Sequence, residues 1–201
     1  MPMKRIYILL LLLPFLAWSC KDEEEILPDQ QKRIVSFLTS SHAPRLVDER
    51  NLDEENDPQQ PFYTTMGETA YRYIDNYFDP NRKNWKEVMP DSKVSITFRA
   101  YVFSYTPITD STVPYFTNDP LLEEFFYKQG LTPGQWSFEP LEIDLQNTHI
   151  IKGLQMALVG CRQNDQVEVY MTYNMAYGED YFGVIPKESP VAVLFTVKNV
   201  E

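Results

Sequence analysis

Two histidines and two cysteines among 201 residues leave little material for metal or covalent chemistry. His42 and His149 stand far apart in no metal-ligand spacing, so neither a zinc centre nor histidine-based catalysis is expected. The chain also lacks a G-x-S-x-G elbow, a phosphate-binding loop and a dinucleotide fingerprint, and no cofactor is expected. Basic charge is scarce too: 18 Lys and Arg face 29 Asp and Glu, a formal net charge of −11. Such a surface repels nucleic acid and anionic headgroups, which argues against nucleic acid as a partner. Long apolar runs are missing except at the start, where Ile6 to Leu13 is too short to span a bilayer comfortably.

That first stretch has its own grammar. Lys4 and Arg5 precede the apolar run, and Leu16-Ala17-Trp18-Ser19 precedes Cys20. The pattern resembles a bacterial lipoprotein signal with its lipobox. The resemblance implies a signal peptide over 1–19, cleavage after Ser19, and lipid on Cys20 as the mature N-terminus. Cys161 is then alone, so no disulfide can form within the mature chain. Two of the 18 basic residues leave with the signal, which puts 16 against 29 acidic ones and the mature charge near −13. Lipid chains, not basic patches, must then hold the protein to a membrane. The run Lys21-Asp22-Glu23-Glu24-Glu25 reads as a solvated tether, and it resembles the acidic export signal of some surface lipoproteins. Outer-membrane attachment, on the cell-surface or periplasmic face, is the expectation.

Further along, Leu27 to His42 places Ile34, Phe37 and Leu38 on one helical face. Ala43 to Pro61 is polar and proline-rich and reads as a mobile linker, so 20–61 forms an acidic tether with a short helix and linker. Thr69 to Phe78 alternates tyrosines with other residues and reads as a strand ended by Asp79-Pro80-Asn81. Lys93 to Ser104 reads as a second strand, with Val94, Ile96, Phe98, Ala100 and Val102 on one face. Within 105–140, Asp119 supplies a helix N-cap, Pro120 the first helical position and Gly130 a stop. The aromatic residues of that helix, Phe125 to Tyr127, are expected to pack on the sheet or to wall a groove.

The segment from Ile150 to Phe195 organises the rest. Ile151, Leu154 and Leu158 make one apolar helical stripe, and Cys161 at the helix end is expected as a buried thiol without chemistry. Val167, Val169 and Met171 then alternate with Glu168, Tyr170 and Thr172 as a half-buried strand. Helix Ile150-Ile151-Lys152-Gly153, strand, Ala176-Tyr177-Gly178, loop Gly183-Val184-Ile185-Pro186 and a last strand ending in Leu194-Phe195 occur in a fixed order. Together they resemble the C-terminal half of an FKBP-type peptidyl-prolyl cis-trans isomerase. The resemblance implies an α+β fold: a bent antiparallel β-sheet packed on one short α-helix, with an N-terminal helix and a helical insert, over residues 62–201.

It also implies a site. Tyr177 would donate its hydroxyl and Ile151 its backbone N–H to substrate. Phe98, Phe116, Ile150, Leu154, Val184, Ile185 and Phe195 would complete an apolar cup. Three positions depart from the family pattern: Leu154 where the floor is usually Trp, Phe98 for a strand Tyr, and Thr117 after Phe116 where the family has Asp. Such changes preserve burial and so the fold, while activity becomes uncertain. The first function implied is a prolyl isomerase or folding helper acting on proline-containing polypeptides without covalent or metal catalysis. The alternatives are a non-catalytic module that binds a peptide, protein partner or glycan, and a structural subunit of an envelope complex. Glu179 and Asp180 are expected to be solvated loop carboxylates.

Overall fold

The computed structural model describes residues 23–131 and 136–201. The signal segment 1–19 and the lipidation candidate Cys20 lie outside the described residues. Eight strands form one sheet, β1 (Val47–Asp48), β2 (Phe62–Met66), β3 (Ala70–Ile74), β4 (Lys93–Val102), β5 (Phe116–Thr117), β6 (Leu141–Asp144), β7 (Gln166–Met171) and β8 (Val191–Val200). Their order is β1-β2-β3-β7-β8-β4-β5, with β6 also pairing β4. Among the described residues only β1 and β2 run parallel, and the other strand pairings are antiparallel. Because β4 is ten residues long, β6 takes its first half and β5 its second. Across β8 the register slips between Ser95 and Ile96, a bulge that bends the sheet.

Period-two alternation divides the side chains between two faces. Val94, Ile96, Phe98 and Ala100 of β4, Val167, Val169 and Met171 of β7, and Val191, Val193, Phe195 and Val197 of β8 pack under helix α3 (Lys152–Leu158). Tyr71, Tyr73, Phe103, Tyr170 and Ala192 emerge on the other face, where Ile34, Phe37 and Leu38 of helix α1 (Glu23–Ser40) cover them. The sheet is therefore held between two helices. Val102, expected with the inner residues of β4, is exposed at the end of the strand.

Glu23 to Glu25, expected in the tether, belong to helix α1. The stretch expected as a mobile linker is stitched to the domain instead: Leu46 is buried, its N–H donates to Leu38, and Val47 donates to Pro61. Asp48 caps the next short turn through the Arg50 N–H. Sequence composition had hidden the single buried Leu46 that makes this segment worth ordering. The insert helix α2 (Glu123–Lys128) follows a turn of 3-10 helix capped, as expected, by Asp119 on the Leu121 N–H at 2.9 Å. Among the described residues no helix is long and apolar enough to cross a membrane.

Candidate functional site

Helix α3 is pressed unusually close to β7. A Cβ at Gly153 would stand 2.5 Å from Met171 Sδ, and only the bare glycine lets the helix settle there. Leu154 faces inward beside it, and Ile151 sits at the helix N-cap with extended backbone. Among the described residues nothing accepts from the Ile151 N–H, as is usual for the first amides of a helix.

Opposite the helix start, a loop returns from β7 to β8. A short 3-10 turn over Tyr173–Met175 leads into Tyr177, and Gly178 takes φ +76° to reverse the chain. The Tyr177 ring stacks on Phe182, with centroids 4.5 Å apart and planes at 12°. Its hydroxyl accepts from Tyr115 Oη at 3.2 Å. Since Tyr115 supplies that proton, the O–H of Tyr177 is left to donate elsewhere. Burial raises the pKa of both phenols, so each stays neutral at physiological pH.

The insert supplies the third wall. Phe116 leans on Phe98 at 5.1 Å and meets the edge of Trp136 at 4.6 Å with the rings perpendicular. A ladder of side-chain bonds fastens this wall to β4. Thr117 Oγ1 donates to the Phe98 carbonyl at 2.6 Å, Asn118 accepts from Phe98 N–H at 2.7 Å and donates to the carbonyls of Ile96 and Glu139, and Arg99 pairs with Asp119. Trp136 Nε1 closes the ladder on the Thr117 carbonyl at 2.6 Å.

Between these walls lies an open cavity of about 790 Å³. It gathers Tyr177, Ile151, Ile150, Leu154, Phe98, Phe116 and Val184 of the nine residues singled out in the sequence. Ile185 and Phe195 fall outside the lining. Val184 is 80% exposed in the turn at the rim, whereas its neighbour Ile185 is buried and exchanges backbone hydrogen bonds with Phe182 to close that turn. Phe195 is core, paired between Phe98 and Val167; Val193, two residues earlier on the same face, reaches the cavity instead. Tyr115, Trp136 and Phe182 were not anticipated. Trp136 could have been suspected as one of only three tryptophans, but nothing in its spacing announced a partner.

The aromatic residues of α2 do not line the cavity. Phe126 and Tyr127 pack on Phe138 instead. Cys161 is fully buried, its Sγ–H donating to the Ala157 carbonyl, and burial pushes its thiol up to about 12. Glu179 and Asp180 lie in the exposed part of the loop. No group of three or more His, Cys, Asp or Glu among the described residues is placed to hold a metal ion.

Fold and cavity together define an FKBP-like domain. The FKBP-type peptidyl-prolyl cis-trans isomerase family model matches residues 128–198, about a third of the chain. Among solved structures, a peptidyl-prolyl cis-trans isomerase from Pseudomonas syringae pv. tomato superposes with a TM-score of 0.50 at 10% identity, covering 91% of this chain and 98% of that one. The three FKBP domains of wheat FKBP73 give 0.50 at 12% identity, covering 70% of this chain and 51% of that one. At such identities the likeness speaks to fold alone. No curated protein sequence matches the chain.

Proposed function

We propose that the protein is a prolyl isomerase or folding helper of the bacterial envelope, acting on X–Pro bonds in the cavity under α3. The observation that carries this is the cavity itself: aromatic and aliphatic walls, His149 and Lys152 exposed at the mouth, and two unspent donors, the Tyr177 hydroxyl and the Ile151 N–H, facing one space. The barrier to rotation, about 18 to 20 kcal/mol, arises from the partial double bond of the amide. It falls when the planar, charge-separated form loses water and the twisted form keeps its hydrogen bonds. An apolar cavity does the first, and fixed donors do the second. No nucleophile, base or metal takes part.

The sequence features at the N-terminus support attachment through lipid on Cys20 to the outer membrane, where exported polypeptides rich in unfolded X–Pro bonds would be the clients. Labelling of cells with a palmitate analogue should mark the wild-type chain and not Cys20→Ser; labelling of both would remove the anchor from the proposal. For the activity, a protease-coupled assay with Xaa-Pro peptides should show acceleration at micromolar protein. Tyr177→Phe should lower kcat/KM about tenfold, the size of one lost hydrogen bond in a dry site. Well-folded protein without acceleration refutes the isomerase.

Two observations favour a second function, a non-catalytic binding module. The floor is Leu154 instead of a ring, and Thr117 spends its hydroxyl on the Phe98 carbonyl instead of reaching the cavity. In that case a proline-containing peptide binds, Tyr177→Phe weakens binding without turnover to lose, and Leu154→Trp creates measurable isomerisation.

A further inference from the structure

We propose that Gln30 of helix α1 is a positioning residue for Tyr177, so that docking of the N-terminal helix on the far face of the sheet sets the shape of the cavity. Gln30 is 5% exposed and lies on the same helical face as Ile34, Phe37 and Leu38. Its Nε2 donates to the Glu188 carbonyl at 2.7 Å, and its Oε1 accepts from the Tyr173 N–H at 2.9 Å. Those two residues bracket the loop that carries Tyr177, Phe182 and Val184 into the cavity.

Two of the loop's own bonds join these points: Gly178 N–H to the Tyr173 carbonyl at 2.9 Å, and Glu188 N–H to the Gly178 carbonyl at 3.0 Å. With Gln30 they close a ring: Gln30 to Tyr173, Tyr173 to Gly178, Gly178 to Glu188, and Glu188 back to Gln30. Gly178 is the residue next to Tyr177, so the ring fixes the backbone from which the donating side chain projects. Glu188 holds φ +55°, a left-handed conformation that side chains resist, and needs such restraint. Only a side chain with one donor and one acceptor can complete the ring. An apolar residue at position 30 would remove both the acceptor that the Tyr173 N–H uses and the donor that the Glu188 carbonyl uses, and the two ends of the loop would lose their tie to α1.

The test uses the full chain and two substitutions. Gln30→Ala opens the ring at two points; amide hydrogen exchange at Tyr173, Gly178 and Glu188 should rise about tenfold while β4 and β8 amides stay as in wild type. Gln30→Glu discriminates ring closure from mere filling of space. A neutral carboxyl donates and accepts as the amide does, whereas a carboxylate only accepts and faces the Glu188 carbonyl with a like partial charge.

This variant should therefore match Gln30→Ala at neutral pH and recover wild-type protection below about pH 5. The charged groups near the site and at the helix's far end, Asp29, Arg33, Lys187, Glu188, His42 and Glu168, are shared by wild type, which should show no such recovery. Unchanged loop exchange in Gln30→Ala, or exchange in Gln30→Glu with no pH dependence, overturns the proposal. The kinetic arm rests on the isomerase function: Gln30→Ala should lower kcat/KM for Xaa-Pro peptides several-fold. Wild type without turnover overturns that function, and the exchange arm still decides the ring.

Discussion

Adding one methyl group to helix α3 at Gly153 should destabilise the protein, against the usual preference of helices for alanine. In an open helix Gly→Ala stabilises by about 1 kcal/mol, through backbone entropy and propensity. Here the new Cβ would stand 2.5 Å from Met171 Sδ, 3.1 Å from its Cε and 3.2 Å from the Met175 carbonyl oxygen. Met171 is fully buried and cannot swing its thioether into solvent, and Met175 presents backbone. The helix must lift, and so close an approach to a buried side chain and to backbone belongs in the upper part of the overpacking range, about 2 to 3 kcal/mol. With the propensity gain subtracted, Gly153→Ala should lose roughly 1 to 2 kcal/mol. At about 2 to 4 °C per kcal/mol for a chain of this length, Tm falls by roughly 2 to 8 °C in a reversible melt. Lifting α3 also withdraws Ile151 and Leu154 from the cavity, so peptide binding should weaken in parallel. A second background isolates the cause: with Met171→Ala already present, the space exists and Gly153→Ala should be close to neutral. A higher Tm in the wild-type background, or the same loss in both, would refute the reasoning.

Three other outcomes follow from polar groups in the fold. The ring nitrogens of His42 face the Pro44 carbonyl and the Glu168 carboxylate, both acceptors, so both bonds form fully only in the imidazolium. Burial lowers its pKa, but the bonds to Glu168 and Pro44 and the fields of Glu168 and Asp75 outweigh burial and raise it above the ordinary value. A raised folded pKa means stability that is complete below about pH 6.5 and lost as pH climbs through the raised value; Tm should fall across that span in wild type and less so in His42→Gln, while parallel curves would exclude the pairing. Asp165, wholly buried, takes a two-pronged contact from Arg82 at 2.8 Å and accepts the Arg162 N–H. Asp165→Ala strands that guanidinium and should cost about 3 to 5 kcal/mol by urea unfolding; a loss under 1 kcal/mol contradicts the account. The Cys161 thiol, held up near 12, should resist maleimide at pH 8 until the protein is unfolded, and labelling at the rate of a free peptide would show that the site opens.

The parts of this fold that showed in the sequence are those written in period. Val167, Val169 and Met171 announced one buried face of β7, and Leu154 with Leu158 announced the stripe of α3, because burial on one side imposes alternation at 2.0 or 3.6 residues. The helical insert showed through Asp119, Pro120 and Gly130, where the backbone itself dictates residue type. Strand β2 did not show: Phe62 to Met66 is short and takes its place only because β3 and the parallel stub at Val47 flank it. Leu46 was lost for the same reason, a single apolar residue in a polar stretch having no period at all.

Site residues divide along the same line. Ile151, Leu154 and Tyr177 sit on elements whose spacing fixes where they point, and the structure brings them to one cavity. Val184 and Ile185 are consecutive, but Val184 stands in the tight turn that Phe182 and Ile185 close with two backbone bonds, which leaves Val184 at the rim and Ile185 buried beneath; turn geometry of this kind leaves no period to read. What no period can show is which polar side chain will find backbone groups remote in the chain. Asn118 answers Phe98 and Ile96, Trp136 answers Thr117, and Gln30 answers Tyr173 and Glu188. In each case the sequence offers an ordinary polar or aromatic residue, and only the closed sheet determines the unpaired N–H or carbonyl it must satisfy. These long-range bonds are also the ones that hold the insert wall and the Tyr177 loop, while the periodic residues supply the floor. The cavity's apolar character is thus local and readable in sequence, whereas its shape is non-local, set by the few side chains that satisfy backbone at its edges.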